Sequence, residues 1–365
     1  MCTSPLYRIP VKQFLASYLF KQPDGSIPGY KNGAFILPLD AVAKADHIIS
    51  TIRYAKGDDY ADEVLASSCQ ISCGKCLECK INDSKQWAQR SVAESTMHSD
   101  NWFVTLTYDD EHIPEPILTY SRHSLEFGSW HPLLYEDFQA FKKRLLSYMS
   151  YHYGVKDIRF FMCGEYGPTN GRPHFHVIFY GLPLPDVVKH CEVSLSGRNY
   201  VYLTSDIIFN SWSNGFVTIG ECNWETSAYV ARYVLKKFNN LEEYNYQTLC
   251  FNNGWEPLPP EMREASRDPG LGRPYYDEHK GEIYPRDKVV LPNGQVLKPC
   301  TYFDNLFDLE DPELLELLKQ DRRCNAQIRE RNERASHPNE KSYQFYKKNK
   351  KEKFARSINK LKRPL

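Results

Sequence analysis

An α+β fold is predicted by three features of this 365-residue sequence. Between Asn101 and Ile219, runs rich in β-branched and aromatic residues alternate with runs whose apolar residues recur at three- and four-residue steps, in the order strand, helix, strand, strand, helix, strand. The two middle strands flank Tyr166 to Pro173, where Gly167, Pro168, Asn170, Gly171 and Pro173 are the turn residues of a chain folding back on itself. Composition is that of a folded domain, with 41% hydrophobic and 25% charged residues, and a length sufficient to bury a sizeable core. A βαββαβ order gives a mostly antiparallel sheet with helices on one face, a ferredoxin-like or RRM-like layer.

Each element rests on local chemistry. Residues 1–68 carry no clear motif; Ala34 to Leu39 and His47 to Ile52 read as edge strands or a helix. Residues 69–99 form a Cys-rich module, followed by a helix that Asp83 or Ser84 caps and that runs through Trp87, Ala88 and Val92 to about Met97. The core spans 100–240. It opens with NWFVTLTY (Asn101 to Tyr108), a strand that ends in the acidic loop DDEHIP, and a loop of Ser, His and Pro follows. From about Leu134 to Tyr151, Phe138, Phe141, Leu145 and Met149 share one helical face. Ile158 to Cys163 and His174 to Tyr180 make the hairpin, Ser205 to Ser213 a short helix, Gly215 to Ile219 a strand, and Glu225 to Phe238 a further helix. A C-terminal extension, 241–340, precedes a basic tail, 341–365.

Formal net charge is zero, which excludes a general attraction of the whole molecule to nucleic acid, but the charge is unevenly spread. From Lys341 onward ten Lys or Arg face Glu352 alone, so Lys347, Lys348, Lys350 and Lys351 read as part of a lightly structured phosphate-binding arm. Phe303 to Glu316 carries six acids and no base, an alternative partner for that tail. No apolar run is long enough to span a membrane and the first residues lack a secretory pattern, so a cytoplasmic protein is expected. Eleven cysteines, partly clustered, point to thiols or a metal rather than a disulfide framework. Cys73, Cys76 and Cys79 stand in two consecutive Cys-x-x-Cys spacings, the usual knuckle of a structural Zn²⁺ site, with Cys69 or Cys2 as fourth ligand; the plain alternative is a set of reduced thiols on a loop.

The sharpest chemical signal is His174-Phe-His176. In a strand the two imidazoles share one face, and the hairpin brings Glu165 near His174. Two imidazoles and a carboxylate suit Mn²⁺ or Mg²⁺, the ions of phosphate chemistry. Downstream, Tyr229, Tyr233 and Lys236 or Lys237 fall on one face of the helix ETSAYVARYVLKKF, although two rings at this spacing are also ordinary packing against a sheet.

Taken in order, FVTLTY, GRPHFH and YVARYVLKK resemble the three motifs of HUH endonucleases that start rolling-circle replication, in particular initiators of gokushovirus-like microviruses, small tailless single-stranded DNA bacteriophages. CGKCLEC with the Trp-Ala-x-Arg helix at Trp87 to Arg90, CGEYGPTNGRPHFH, and SRDPGLG at Ser266 to Gly272 carry the likeness from about residue 69 to 272, and more weakly to Tyr302. The resemblance implies a metal-dependent nickase whose tyrosine attacks a phosphodiester at a single-stranded or supercoiled viral origin, leaving a 5′-phosphotyrosine and a 3′-hydroxyl primer, with later strand joining.

A phenol is a poor nucleophile at neutral pH, so Lys236 and the ion would favour phenolate, while Lys237 or Arg232 holds a neighbouring phosphate. Such initiators usually show Tyr-x-x-Lys; here Tyr233 has Lys236 but Tyr229 has Arg232, which favours Tyr233 for the first cut. The sequence has no G-x-x-x-x-G-K-[ST] loop, so a helicase and a polymerase of the bacterial host are the implied partners. Two other readings share parts of this pattern: a non-catalytic RRM-like nucleic-acid binder, and an HUH plasmid initiator or single-strand transposase.

Overall fold

The computed structural model describes residues 6–38, 41–74, 76–167, 170–195, 198–232 and 240–361; at 42, 69, 70, 195, 198–200, 240, 241, 351, 354, 355 and 357–361 it describes the backbone alone. Met1–Asn82 and Asp83–Leu365 form two units. The first holds β1 (Leu6–Pro10), α1 (Gln13–Phe20), β2 (Tyr30–Lys31), β3 (Ala34–Pro38), α2 (Val42–Lys56), α3 (Asp58–Ser67) and β4 (Cys69–Ile71). Its antiparallel sheet runs β2-β3-β1-β4. Asn32 and Gly33, at φ 48° and 76°, make the two-residue turn that pairs β2 with β3, so Ala34–Pro38 is an inner strand, not an edge. His47 to Ile52 lies within α2, and Ile48 and Ile52 pack with Ile9, Phe35 and Leu37.

The remaining elements are α4 (Leu77–Ser95), β5 (Asn101–Tyr108), β6 (Ile117–Tyr120), β7 (Phe127–Trp130), α5 (Tyr135–Tyr153), β8 (Arg159–Tyr166), β9 (Pro173–Tyr180), β10 (Val188–Leu195), β11 (Arg198–Thr204), α6 (Asp206–Trp212), β12 (Gly215–Glu221), α7 (Trp224–Arg232), α8 (Asn240–Asn252), β13 (Met262–Ala265), α9 (Arg273–Arg286), β14 (Val289–Val290), β15 (Val296–Leu297), α10 (Thr301–Phe307), α11 (Pro312–Ala335) and α12 (Glu340–Leu361). The α+β expectation is met: among the described residues a seven-stranded antiparallel sheet runs β10-β11-β12-β5-β9-β8-β13, flanked by helices. The four strands expected from sequence are its centre, in the order β12-β5-β9-β8. The hairpin β10–β11 extends one side and β13 the other.

Helices cover both faces, not one. Phe138, Phe141 and Leu145 of α5 and Ile208 and Trp212 of α6 pack on Phe160, Met162, Phe175, Val177 and Phe179. On the opposite face Ala88 of α4 and Val230 and Ala231 of α7 pack on Phe161, Cys163, Ile178 and Tyr180. This explains why RFFMCGEY and PHFHVIFY show no apolar-polar alternation: a strand covered on both sides is apolar on both.

Four local expectations are corrected. The helix before Met97 begins at Leu77, because the Cys76 carbonyl already accepts from the Lys80 N–H; Asp83 pairs with Arg263 instead of capping. The loop after β5 contains the hairpin β6–β7, registered Ile117 to Trp130 and closed by Tyr120 packing edge-on against Phe127. The basic tail is helical through Leu361, and its cations are partly spent: Lys347 and Lys350 pair with Glu330 and Glu333 of α11, while Lys348 is exposed and the Lys351 side chain lies outside the described residues. The acidic stretch pairs elsewhere, Asp304 with Arg322, Asp308 with Lys319, Glu310 with Lys280 and Glu316 with Arg323.

Gly215 opens β12 at φ 142°, and a Cβ there would stand 2.2 Å from the Asp109 nitrogen. Gly215→Ala should therefore lower stability by at least about 1–3 kcal/mol in urea denaturation. Gly281, in α9 with no atom within 4 Å of its Cβ position, is the control: Gly281→Ala should stabilise by about 0.5–1 kcal/mol.

Candidate metal centre

Strand register assembles the centre. Thr107, His174 and Glu165 are aligned across β5, β9 and β8, and Thr105, His176 and Cys163 form the next row. Because side chains alternate, these residues face α7 while Phe175, Val177 and Phe179 face α5 and α6. The turn that sets this register is close-fitting. Gly167 N–H donates to the Arg172 carbonyl at 2.9 Å, and Gly171, at φ 61°, lies so near the Trp130 ring that a Cβ would approach it to 2.8 Å. Arg172 donates to the Tyr108 carbonyl at 2.9 Å and pairs with Asp110, pinning the acidic loop beside the hairpin.

Glu165 and His176 are buried and His174 is nearly so. Glu165 Oε1 lies 3.3 Å from His174 Nε2 and 3.2 Å from His176 Nε2. The outer nitrogens are fixed from behind. His174 Nδ1 donates to the Arg172 carbonyl at 3.0 Å, so its Nε2 lone pair points at the carboxylate; His176 Nδ1 meets the Thr105 hydroxyl at 2.9 Å. Phe103 stacks on the His176 ring, 5.5 Å away and 10° from parallel. One ligand atom from each of Glu165, His174 and His176 lies within 4.8 Å of the others, and the oriented donor set fits a metal ion.

Tyr229 completes the cluster from α7. Its hydroxyl donates to Glu165 Oε1 at 2.8 Å and lies 3.2 Å from His176 Nε2, and its ring meets His176 edge-on. Burial, then the charge of Glu165 and the hydrogen bond to it, hold the phenol protonated well above its ordinary range; Arg232, whose guanidinium lies 5.9 Å from the ring centre, opposes this. Burial lowers the Arg232 pKa. The start of α7 is set by a reciprocal cap: Thr226 N–H donates to Asn223 Oδ1 and Asn223 N–H to Thr226 Oγ1, both at 2.9 Å. Inside, Ser91 of α4 joins Ser227, at 2.8 Å, to the Tyr180 hydroxyl, at 2.7 Å, tying α7 to the sheet two residues before Tyr229.

Glu165, His174, His176, Tyr229 and Arg232 are thus brought together. Tyr233, Lys236 and Lys237 lie outside the described residues. In the other unit the sulfurs of Cys73, Cys76 and Cys79 lie within 4.8 Å of one another, Cys73 and Cys79 at 4.0 Å, and the Cys76 N–H points to Cys73 Sγ at 3.3 Å, a thiol cluster that fits a metal ion. Cys2 and the Cys69 side chain are not among the described positions. Thr105, Phe103, Arg172 and the pair Ser91–Ser227 were not anticipated. Thr105 and Phe103 stand inside the strand FVTLTY, but only cross-strand register, which no local pattern carries, puts them against His176.

Residues 101–238 match the protein family described as Replication-associated protein ORF2. The chain is 34% identical over 260 residues, 69% of its length, to replication-associated protein ORF2 of Spiroplasma virus 4, covering 72% of that protein. It is 28% identical to replication-associated protein VP4 of Bdellovibrio phage phiMH2K, over 73% of this chain and 79% of the relative. Replication-associated protein ORF4 of Chlamydia phage 1 is 31% identical, over 65% and 59%. No solved structure matches the chain. The order of motifs around the metal centre and these relatives agree: the chain belongs to the family of microvirus-type phage replication-associated proteins.

Proposed function

We propose that this protein nicks one strand of viral DNA at the replication origin through a tyrosine nucleophile, starts rolling-circle synthesis from the 3′-hydroxyl, and later rejoins the strand. The observation that carries this reading is the Tyr229 hydroxyl 2.8 Å from Glu165 and 3.2 Å from His176, inside the metal-ligand cluster. The strand order β12-β5-β9-β8 supports reading the sheet centre as a ferredoxin-like HUH core. A non-catalytic RRM-like binder has no need of a buried carboxylate facing two oriented imidazoles and a phenol.

Glu165, His174 and His176 would hold Mn²⁺ or Mg²⁺, which supplies positive charge at the non-bridging oxygens of the scissile phosphodiester. The chain's own residues do the rest. Arg172 and Thr105 keep the two imidazoles turned inward, and Phe103 and the α4–α7 contact keep bulk water from the carboxylate. Tyr Oη forms a bond to phosphorus, the bond to the 3′ oxygen breaks, and the proton lost by the phenol balances the one gained by the 3′-hydroxyl. Arg232, beside the Tyr229 ring, offers a cation for the phenolate and a neighbouring phosphate. The Tyr-x-x-Lys spacing pointed to Tyr233 for the first cut; the contacts of Tyr229 favour Tyr229, leaving Tyr233, with Lys236, for the second cut while the first tyrosine still carries DNA. Lys237 and the tail lysines would hold flanking phosphates. The host supplies helicase and polymerase, and the protein works in the bacterial cytoplasm; among the described residues no helix is long and apolar enough to cross a membrane. Cys73, Cys76 and Cys79 would hold a structural Zn²⁺.

Incubation with Mn²⁺ and single-stranded DNA tiled across the viral genome should give a nick and a 5′-phosphotyrosine adduct. His174→Ala with His176→Ala should reduce nicking by at least about 10²–10³-fold with melting little changed; retained nicking would refute the metal role. Tyr229→Phe should lose most of the first cleavage, Tyr233→Phe should nick but release few closed circles, and the double variant should form no adduct; DNA mapped by mass spectrometry to another residue would end the paired-tyrosine mechanism. Elemental analysis should find one zinc per chain, lost in Cys76→Ser; a zinc-free protein whose melting ignores chelators would remove the structural site.

A further inference from the structure

Beside the metal centre the same sheet face carries a second feature that the nicking chemistry does not use. Trp87 of α4 lies parallel to Phe161 of β8, 5.3 Å between ring centres. Two guanidinium groups sit against its indole, Arg90 at 4.2 Å and Arg263 of β13 at 4.4 Å, and Arg90 also lies 3.9 Å from the ring centre of Tyr302. Tyr302 enters this stack because Gly270 has no side chain: a Cβ there would stand 2.4 Å from the Tyr302 hydroxyl. That gives a role to the glycine-rich SRDPGLG segment.

The charges are not balanced. Arg263 has one carboxylate, Asp83, at 3.1 Å. Arg90 Nε donates to the Leu271 carbonyl at 2.8 Å, and among the described residues its Nη amines have no acceptor and open to solvent. The nearest acid along α4, Glu94, is occupied by Arg159, His98 and the Gly272 N–H. Burial depresses the Arg90 pKa and the neighbouring Arg263 depresses it further, the signature of two like charges held together. Planar guanidinium groups carried on aromatic rings and lacking carboxylates are built to receive a phosphate. Register fixes their place: Arg263, Cys163 and His176 stand in one row, so Arg263 shares the face of the ligands two strand spacings, about 10 Å, from His176.

We propose that Arg90 and Arg263 form a subsite for one backbone phosphate of the single-stranded DNA, on the β13 side of the metal centre, a short stretch of strand away from the scissile bond. The proposal takes its DNA substrate from the reading above, but binding can be measured apart from cleavage. Fluorescence anisotropy of a labelled oligothymidylate, without divalent metal and across a sodium chloride series, is the test. Arg90→Gln and Arg263→Gln should each weaken binding about tenfold at physiological salt. The double variant should flatten the slope of log affinity against log salt by about 0.7, the share of one phosphate on a single strand, rather than twice that. Arg90→Lys should restore the slope, and Arg329→Gln on α11 should leave it as in the wild type. If Arg90→Gln does not fold, Arg263→Gln carries the test. Wild-type affinity and slope in the folded glutamine variants would overturn the subsite. A protein that shows these losses yet never nicks DNA would sink the nickase and leave the phosphate site standing.

Discussion

A one-residue slip between β8 and β9 would turn His174 and His176 into the core and bring Phe175, Val177 and Phe179 to the metal centre. What forbids it is burial on both faces. Phe175, Val177 and Phe179 are wholly buried against α5 and α6, each worth about 1.5–3 kcal/mol relative to exposure, while imidazoles in their place would face Phe138, Phe141 and Trp212 with no polar partner. The tight turn at Gly171, pressed by Trp130, adds a second lock. The ligand geometry is therefore a consequence of core packing.

The helix facing this sheet is held by polar contacts instead. Ser91, Ser227 and the Tyr180 hydroxyl are buried and satisfy one another, so removing one leaves donors or acceptors stranded at about 1–3 kcal/mol each. Such bonds are directional where apolar contacts are not, which suits a helix that must present Tyr229 to Glu165 within hydrogen-bond reach. The SRDPGLG segment closes the far side: Ser266 exchanges bonds with the backbone of Phe160, and Arg159 and Glu94 grip the backbone at Pro269 and Gly272. The phosphate subsite at Arg90 grows out of the same strap.

Much of the fold was legible because local pattern and tertiary role coincide. NWFVTLTY forms a strand of the bounds expected, and the four apolar positions of α5 are all wholly buried. Glu165 and His174 could be paired by reading a short hairpin. Other features depend on distant chain. Helices on the second face, β13 beside β8, and the meeting of Trp87 with Arg263 across 176 positions leave no local periodicity. The turn Asn32–Gly33 does carry a local signal, the Asn-Gly pair itself, that the expectation of an edge strand or helix passed over. The tail misled because a run of lysines resembles an unstructured arm; its Tyr343 and Tyr346, which reach Glu330 and Glu333, are what make it a packed helix.

The central claim is that two histidine nitrogens and one carboxylate, oriented by the sheet, form a divalent-ion site beside Tyr229. Pulsed electron paramagnetic resonance on the Mn²⁺-loaded protein reads this directly through the coupling of manganese to ligand nitrogen. Two imidazole nitrogens should be seen, one of them lost in His174→Ala. A spectrum of manganese surrounded by water alone, with no nitrogen coupling in the wild-type protein, would contradict the account.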